Sequence, residues 1–267
     1  MRTIFLIGFL CCWTLFVGAQ SPLRQVENTA FQKGEFLKYR IHYGIITAGY
    51  ATLSVKPKTY YIHDRACHHI VMRGFTHAGF DWFYKVRDVY ETYFDESALV
   101  PWRFNRHIVE GSYESYTETH FNHYQQSATY INQKKEKIEY TVPDNIQDVI
   151  SAYYYARTFY DHQTLKPGDK ISLRNFLDQK TFGLEAVMLK REVIEVEDKE
   201  FKAIKFKLLI DESGLVTDGS TIVFWISDDF NKVPLRIESE LVIGSLRADL
   251  IEWKQLLYPL GIAEEQK

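Results

Sequence analysis

The chain has 267 residues, of which 46% are apolar and 15% aromatic, and it carries a formal net charge of −3. That composition excludes intrinsic disorder, and the length supplies one large core or two small ones. The small net charge leaves no electrostatic footprint for nucleic acid or for an anionic membrane surface.

The first stretch, MRTIFLIGFLCCWTLFVGAQ, has a basic start at Arg2, an apolar run from Ile4 to Val17, and small residues at Gly18 and Ala19. Together these describe a secretory signal peptide over residues 1–19, with the mature chain starting at Gln20. Neither Cys11 nor Cys12 follows the small residue that a lipoprotein signal requires. The apolar run falls short of the roughly 20 residues a spanning helix needs, and no later stretch reaches that length. The expected product is therefore exported to the periplasm with no transmembrane segment. Two of the three cysteines leave with the signal, so only Cys67 remains and no internal disulfide can form.

Residues 20–34 form a polar lead-in, and the dominant period then becomes two. In LKYRIHYG, Leu37, Tyr39, Ile41 and Tyr43 oppose Lys38, Arg40 and His42, the pattern of a strand with one solvated face. The same alternation returns at Ile204, Phe206 and Leu208, and again at Val233, Leu235 and Ile237. These are antiparallel patterns. Strands are expected near 36–44, 48–56, 60–73, 82–94, 101–111, 114–124, 127–133 and 137–142. A second series is expected near 170–177, 181–196, 200–210, 220–227, 232–243 and 246–256. The fold class is mainly β: a long antiparallel meander forming a closed or incomplete β-barrel, one domain over residues 35–257, with a tail at 258–267.

In the stretch FDWFYKVRDVYETYF, residues 80–94, Phe80, Trp82, Tyr84, Val86, Tyr90 and Phe94 share a face, and Asp88 shares it with them. A carboxylate in that setting must be paired or neutralised. The single helix is NIQDVISAYYYARTFYDH, residues 145–162, with Asp144 and Gln147 spaced as a capping box. Ile146, Val149, Ile150, Tyr153, Arg157 and Tyr160 make one stripe, while Ala152, Tyr155 and Phe159 lie nearly opposite. Apolar groups on both sides predict a helix packed against or into the barrel. Its Arg157 then either pairs with a carboxylate, the expected partner being Asp88 or, failing that, Glu110, or lays its stem along the core and reaches water.

Familiar nucleophile, phosphate-binding and zinc motifs are missing, so no catalytic residue, metal or cofactor is assigned. His68 and His69 are adjacent and His120 and His123 are three apart, so each pair points to opposite faces of a strand. Asp228 and Asp229, in SDDFNKVP, read as a hairpin turn in preference to an acid–base pair. The aromatic surplus exceeds what a filled core needs, and Trp82, Tyr84, Tyr90, Tyr154 and Tyr155 are the candidate ligand-binding residues.

Several stretches, among them GEFLKYRIHYGIITAGYATLSV, VRDVYETYFDES, VPWRFNRHIVEGSY, TVPDNIQDVISAYYYAR, LKPGD, WISDDFNKVPLRIES and IGSLRADL, resemble the exported bacterial proteins grouped as domain of unknown function 3108. The likeness spans about residues 33–253. It implies an envelope β-structure with a mid-chain helix and brings no established activity. One departure is the turn EDKEF, where relatives tend to have glycine and Asp198 must accept the turn's backbone.

The leading functional expectation is a periplasmic, non-catalytic protein of envelope maintenance that binds a lipid or another apolar small molecule. The alternatives are an interaction scaffold for an envelope protein, with a filled barrel, or a hydrolase acting on envelope glycans.

Overall fold

A computed structural model describes residues 23–82, 84–210, 222–240 and 245–263. The expected export signal, residues 1–19, lies outside them. The first half contains β1 (Phe36–Tyr43), β2 (Ile46–Val55), β3 (Tyr60–Ile62), β4 (Arg65–Thr76), β5 (Arg87–Asp95), β6 (Pro101–Glu110), β7 (Tyr113–Asn122), β8 (Ser127–Ile131) and β9 (Lys137–Thr141). Helix α1 (Val149–Phe159) follows. The second half contains β10 (Lys170–Leu177), β11 (Lys180–Val196), β12 (Lys199–Ile210), β13 (Ile222–Ser227), β14 (Pro234–Glu240) and β15 (Ser245–Lys254).

All strands join one antiparallel sheet in the order β10-β11-β12-β13-β14-β15-β1-β2-β4-β5-β6-β7-β8-β9, with β3 as a flap on β4. Nearly every neighbour in space is a neighbour in sequence, as the meander pattern predicts. The exceptions are β2 with β4, which skips the β3 flap, and β1 with β15, where Leu37 faces Trp253 and Ile41 faces Ala248, so the first and last strands lie side by side. Strands β9 and β10 do not pair, and the barrel is incomplete.

Side chains and one connecting segment span that gap. Arg106 of β6 donates to Asp178 at 2.5 Å, and the Tyr140 hydroxyl donates to Gln179 at 2.6 Å. Both acceptors sit in the β10–β11 turn, where Asp178 and Gln179 take left-handed φ values of 47° and 65°, as a tight hairpin turn demands. Residues 142–148 cross from one edge to the other. Val142 N–H donates to the Gln126 carbonyl, Gln147 N–H donates to the Arg174 carbonyl, and the Gln147 carbonyl accepts from Phe176 N–H.

That crossing corrects the expected helix start. The N-cap is Asp148, whose Oδ1 accepts from Ile150 N–H and Ser151 N–H at 2.8 Å each, while Ser151 Oγ accepts from Asp148 N–H at 2.9 Å. Asp144 and Asn145 form a turn, with Asn145 left-handed at φ 55°, and Gln147 bridges to Asn175, so the Asp144–Gln147 spacing is not used as a cap. Thr92 Oγ1 donates to Asp148 Oδ2 at 2.5 Å and ties the helix start to β5.

The expected strand 82–94 also shortens. Asp81 accepts from Thr76 Oγ1 at 2.6 Å and from the Arg87 guanidinium, which folds the segment before Arg87 out of the sheet. The expected strand 60–73 breaks at His63 and Asp64, both left-handed, which separate β3 from β4. In the β11–β12 turn the left-handed residue is Glu197, φ 51°, and not Asp198.

The main core gathers Leu37, Ile70, Phe94, Phe104, Ile150 and Tyr154 with residues from both halves of the sheet. The polar lead-in enters it. Phe31 is 2% exposed, meets Tyr154 edge-on at 4.7 Å, and meets His68 at 5.3 Å. Arg24 donates to the carbonyls of Ala98 and Leu99 and lies 3.9 Å over the Tyr155 ring.

His68 is buried beneath Phe31, and burial pushes its pKa down to about 4 against the opposing pull of Glu96. A folded-state value below the unfolded value of 6.5 means that the stability it contributes is present above pH 6.5 and is lost as pH falls toward 4. Compared with the wild type, His68→Phe is therefore expected to gain about 3 kcal/mol between those two pH values. Urea denaturation of both proteins at each pH measures the difference. Equal pH slopes for the two proteins would refute it.

Candidate functional site

Helix α1 separates two apolar systems. On one side Ile150 and Tyr154 join the main core; on the other, a second cluster of Ile171, Met188, Ile204, Phe206 and Ile226 lines β10–β13. The alternation in these strands makes that surface apolar: Ile171 faces Ala186, Ala186 faces Leu208, and Phe206 faces Phe224 with rings stacked at 5.4 Å. Between helix and sheet lies a cavity of about 180 Å³. Small side chains on the helix, Ala152 and Ala156, leave the room. Val149, Tyr153 and Tyr160 complete the helical wall opposite Leu173, Leu184 and Phe224.

One end of the cavity is polar. Arg157, 1% exposed, lies within it, and its guanidinium is held almost completely. Nη1 donates to Glu35 Oε1 at 2.6 Å, and Nη2 donates to Glu35 Oε2 at 2.8 Å and to the Ala30 carbonyl at 2.8 Å. Nε donates to the Asn231 carbonyl at 2.7 Å. The rings of Phe31, Tyr153 and Tyr154 surround the guanidinium with centroids 5.2–5.6 Å away. Burial works against its charge, but Glu35 and the neighbouring phenols outweigh burial and hold the pKa above the ordinary arginine value. A pair this deeply buried is stable only because both partners are bonded on several sides.

The second cation is Lys232, 4% exposed. It stands in a locked turn: Asp229 Oδ1 accepts from Ser227 Oγ, Asn231 N–H and Lys232 N–H at 2.8–3.1 Å, and Oδ2 accepts from Gly261 N–H. Lys232 takes a left-handed φ of 52°, which turns its side chain back into the fold. Nζ donates to the Arg157 carbonyl at 2.7 Å and lies 5.4 Å from the Tyr160 ring centroid. Burial, together with the charge of Arg157, lowers the Lys232 pKa.

The partner expected for Arg157 is corrected. Asp88 is buried on β5 and accepts from Val109 N–H at 3.1 Å, and Glu110, at the end of β6, bridges to Val86. Neither meets Arg157, because Glu35 at the mouth of β1 occupies both of its terminal nitrogens. Asp228 and Asp229 have separate structural duties: Asp228 pairs with Arg191 at 2.5 Å, and Asp229 organises the turn.

The five aromatic candidates are not brought together, and none lines the cavity. Trp82 is 85% exposed and Tyr84 48% exposed, on the loop before β5. Tyr90 is half-buried beside Phe104, Tyr154 is sealed in the main core, and Tyr155 packs under Arg24 and against Phe159. The cavity's own wall was visible in the sequence as the stripe Val149, Tyr153, Arg157 and Tyr160. Glu35 and Lys232 carried no signal: one opens a strand in a polar setting, and the other sits in a turn, where lysine usually meets water.

The fold resembles that of a crystal structure of a β-barrel-like protein of domain of unknown function DUF1849 from Brucella abortus. The two share 10% identity over 88% of this chain and 99% of that one, with a TM-score of 0.53. A Bacteroides fragilis protein assigned as exported, of YmcC-like fold, aligns at 11% identity over 86% of this chain and 99% of its own, with a TM-score of 0.36. A Parabacteroides distasonis protein assigned as a lipoprotein aligns at 10% identity over 86% and 99%, with a TM-score of 0.31. No curated protein matches. The profile of one protein family of unknown function matches residues 38–251, most of the sheet together with the helix and the Lys232 turn, and the chain belongs to that family, DUF3108.

Proposed function

We propose that the protein is exported to the periplasm and serves envelope maintenance as a non-catalytic binding protein, sheltering an apolar or amphiphilic ligand between α1 and β10–β13. The observation that supports this most is the cavity itself. Its 180 Å³ exceeds the roughly 150 Å³ that admits benzene in an engineered apolar cavity, and its walls are almost entirely hydrocarbon. The signal-like residues 1–19 support export, and among the described residues no helix is long and apolar enough to cross a membrane.

The neutral fluorophore N-phenylnaphthylamine tests the reading. Saturable binding by the wild type is expected, and Ala156→Trp, which projects an indole into the cavity, is expected to abolish it while leaving the far-ultraviolet circular dichroism unchanged. Absence of saturable binding to the wild type, together with an empty organic extract of natively purified protein, would transfer the role to an interaction scaffold.

A further inference from the structure

Resting on that reading, we propose that the ligand is an alkyl monocarboxylate, with its chain between α1 and β10–β13 and its head on the Lys232 ammonium and the Tyr153 hydroxyl. Three observations converge. First, Lys232 is a buried cation whose ammonium donates to a backbone carbonyl, and it forms no ion pair among the described residues. An ammonium has three donors, and a buried charge without a counter-charge is costly.

Second, the Tyr153 hydroxyl is buried with no acceptor for its proton among the described residues, and Tyr153 lines the same cavity. The Arg157 guanidinium, 5.5 Å from the Tyr153 ring centroid, offers donors alone, so the phenolic proton still needs an acceptor. Third, no acidic side chain lines the cavity among the described residues, and the two carboxylates whose charge acts on Lys232, Asp161 and Asp229, form no ion pair with it: Asp229 is occupied by its turn and Asp161 lies beside His162.

A carboxylate supplies one negative charge and two acceptor oxygens, which matches one ammonium and one phenol; a phosphate monoester would bring an excess of charge. The cavity volume takes a segment of about six to eight carbons, scaled from the cavity that admits benzene. Lys232 also caps the carbonyl end of α1, a structural duty that any variant disturbs.

The test therefore compares two ligands of equal chain length, octanoate and octanol, by displacement of N-phenylnaphthylamine. Wild type is expected to prefer octanoate at least about tenfold, in line with a charge-assisted pair. Lys232→Met is expected to bring that ratio to about one with binding of the neutral probe retained, Lys232→Arg to preserve the preference, and Tyr153→Phe to reduce it in part. Equal displacement by both ligands in the wild type, or a ratio unmoved by Lys232→Met and Tyr153→Phe, would overturn the assignment of the head and leave the cavity as a binding site. Lack of probe binding in the wild type would overturn the binding reading and this one with it.

Discussion

Replacing Arg157 with methionine is expected to destabilise the protein by about 3–5 kcal/mol, because it leaves the Glu35 carboxylate, which is 0% exposed, without its counter-charge. In a domain of this size that corresponds to a fall in Tm on the order of 10 °C. Glu35→Leu should cost a similar amount for the complementary reason: a guanidinium would keep the carbonyls of Ala30 and Asn231 and lose both carboxylate contacts. The double variant Arg157→Met/Glu35→Leu should recover most of the loss, since two apolar side chains of comparable volume avoid the desolvation of both ions. Asp88→Asn supplies the contrast. Its one hydrogen bond, from Val109 N–H, survives the change, and a loss below about 1 kcal/mol is expected. Thermal unfolding of the four proteins decides the matter, and a double variant no better than either single one would show that the pair is not energetically coupled.

Phe31→Ala is expected to be about as damaging, at about 3–5 kcal/mol, the usual cost of removing a fully buried phenyl ring. Phe31 closes the core over Tyr154 and His68 and supplies one of the ring faces around Arg157. Loss of the ring should therefore also loosen the segment from Arg24 to Gly34. Trypsin cleavage at Arg24 or Lys33 should then precede global unfolding in the variant and accompany it in the wild type. Simultaneous cleavage and unfolding in both proteins would separate the segment's docking from this side chain.

Much of the architecture could be read from period-two alternation, because a strand with one wet face writes its burial directly into the sequence. The incomplete closure could not. It depends on residues 142–148 crossing the gap through a turn at Asp144 and Asn145, and nothing in VPDNIQD separates that turn from the first turn of a helix. The same ambiguity moved the cap from Asp144 to Asp148.

The candidate site was legible in one half. The helix stripe through Tyr153 and Arg157 was clear, but whether Arg157 meets a carboxylate or reaches water was not. Which carboxylate depends on the pairing of β1 with β15, which sets the chain entering β1 against the end of α1. Asp88 lay on a richer aromatic strand and drew attention for that reason, yet Asp81 had already folded the front of that strand away. Local pattern reports burial well, but it carries no information about which of two distant segments meet.

The adjacency of β1 and β15 also bears on how the chain reaches this state. Hairpins along the meander close loops of a few residues, whereas pairing Leu37 with Trp253 closes one of more than 200 residues. Until the last strand is available, β1 has a neighbour on one edge only, and the carboxylate of Glu35 just before it has yet to be sealed from water. Local pairing is fast and long-range pairing is slow. Acquisition of the native state therefore waits for the C-terminal strand, and a chain shortened before Ser245 would keep its hairpins and lose its centre.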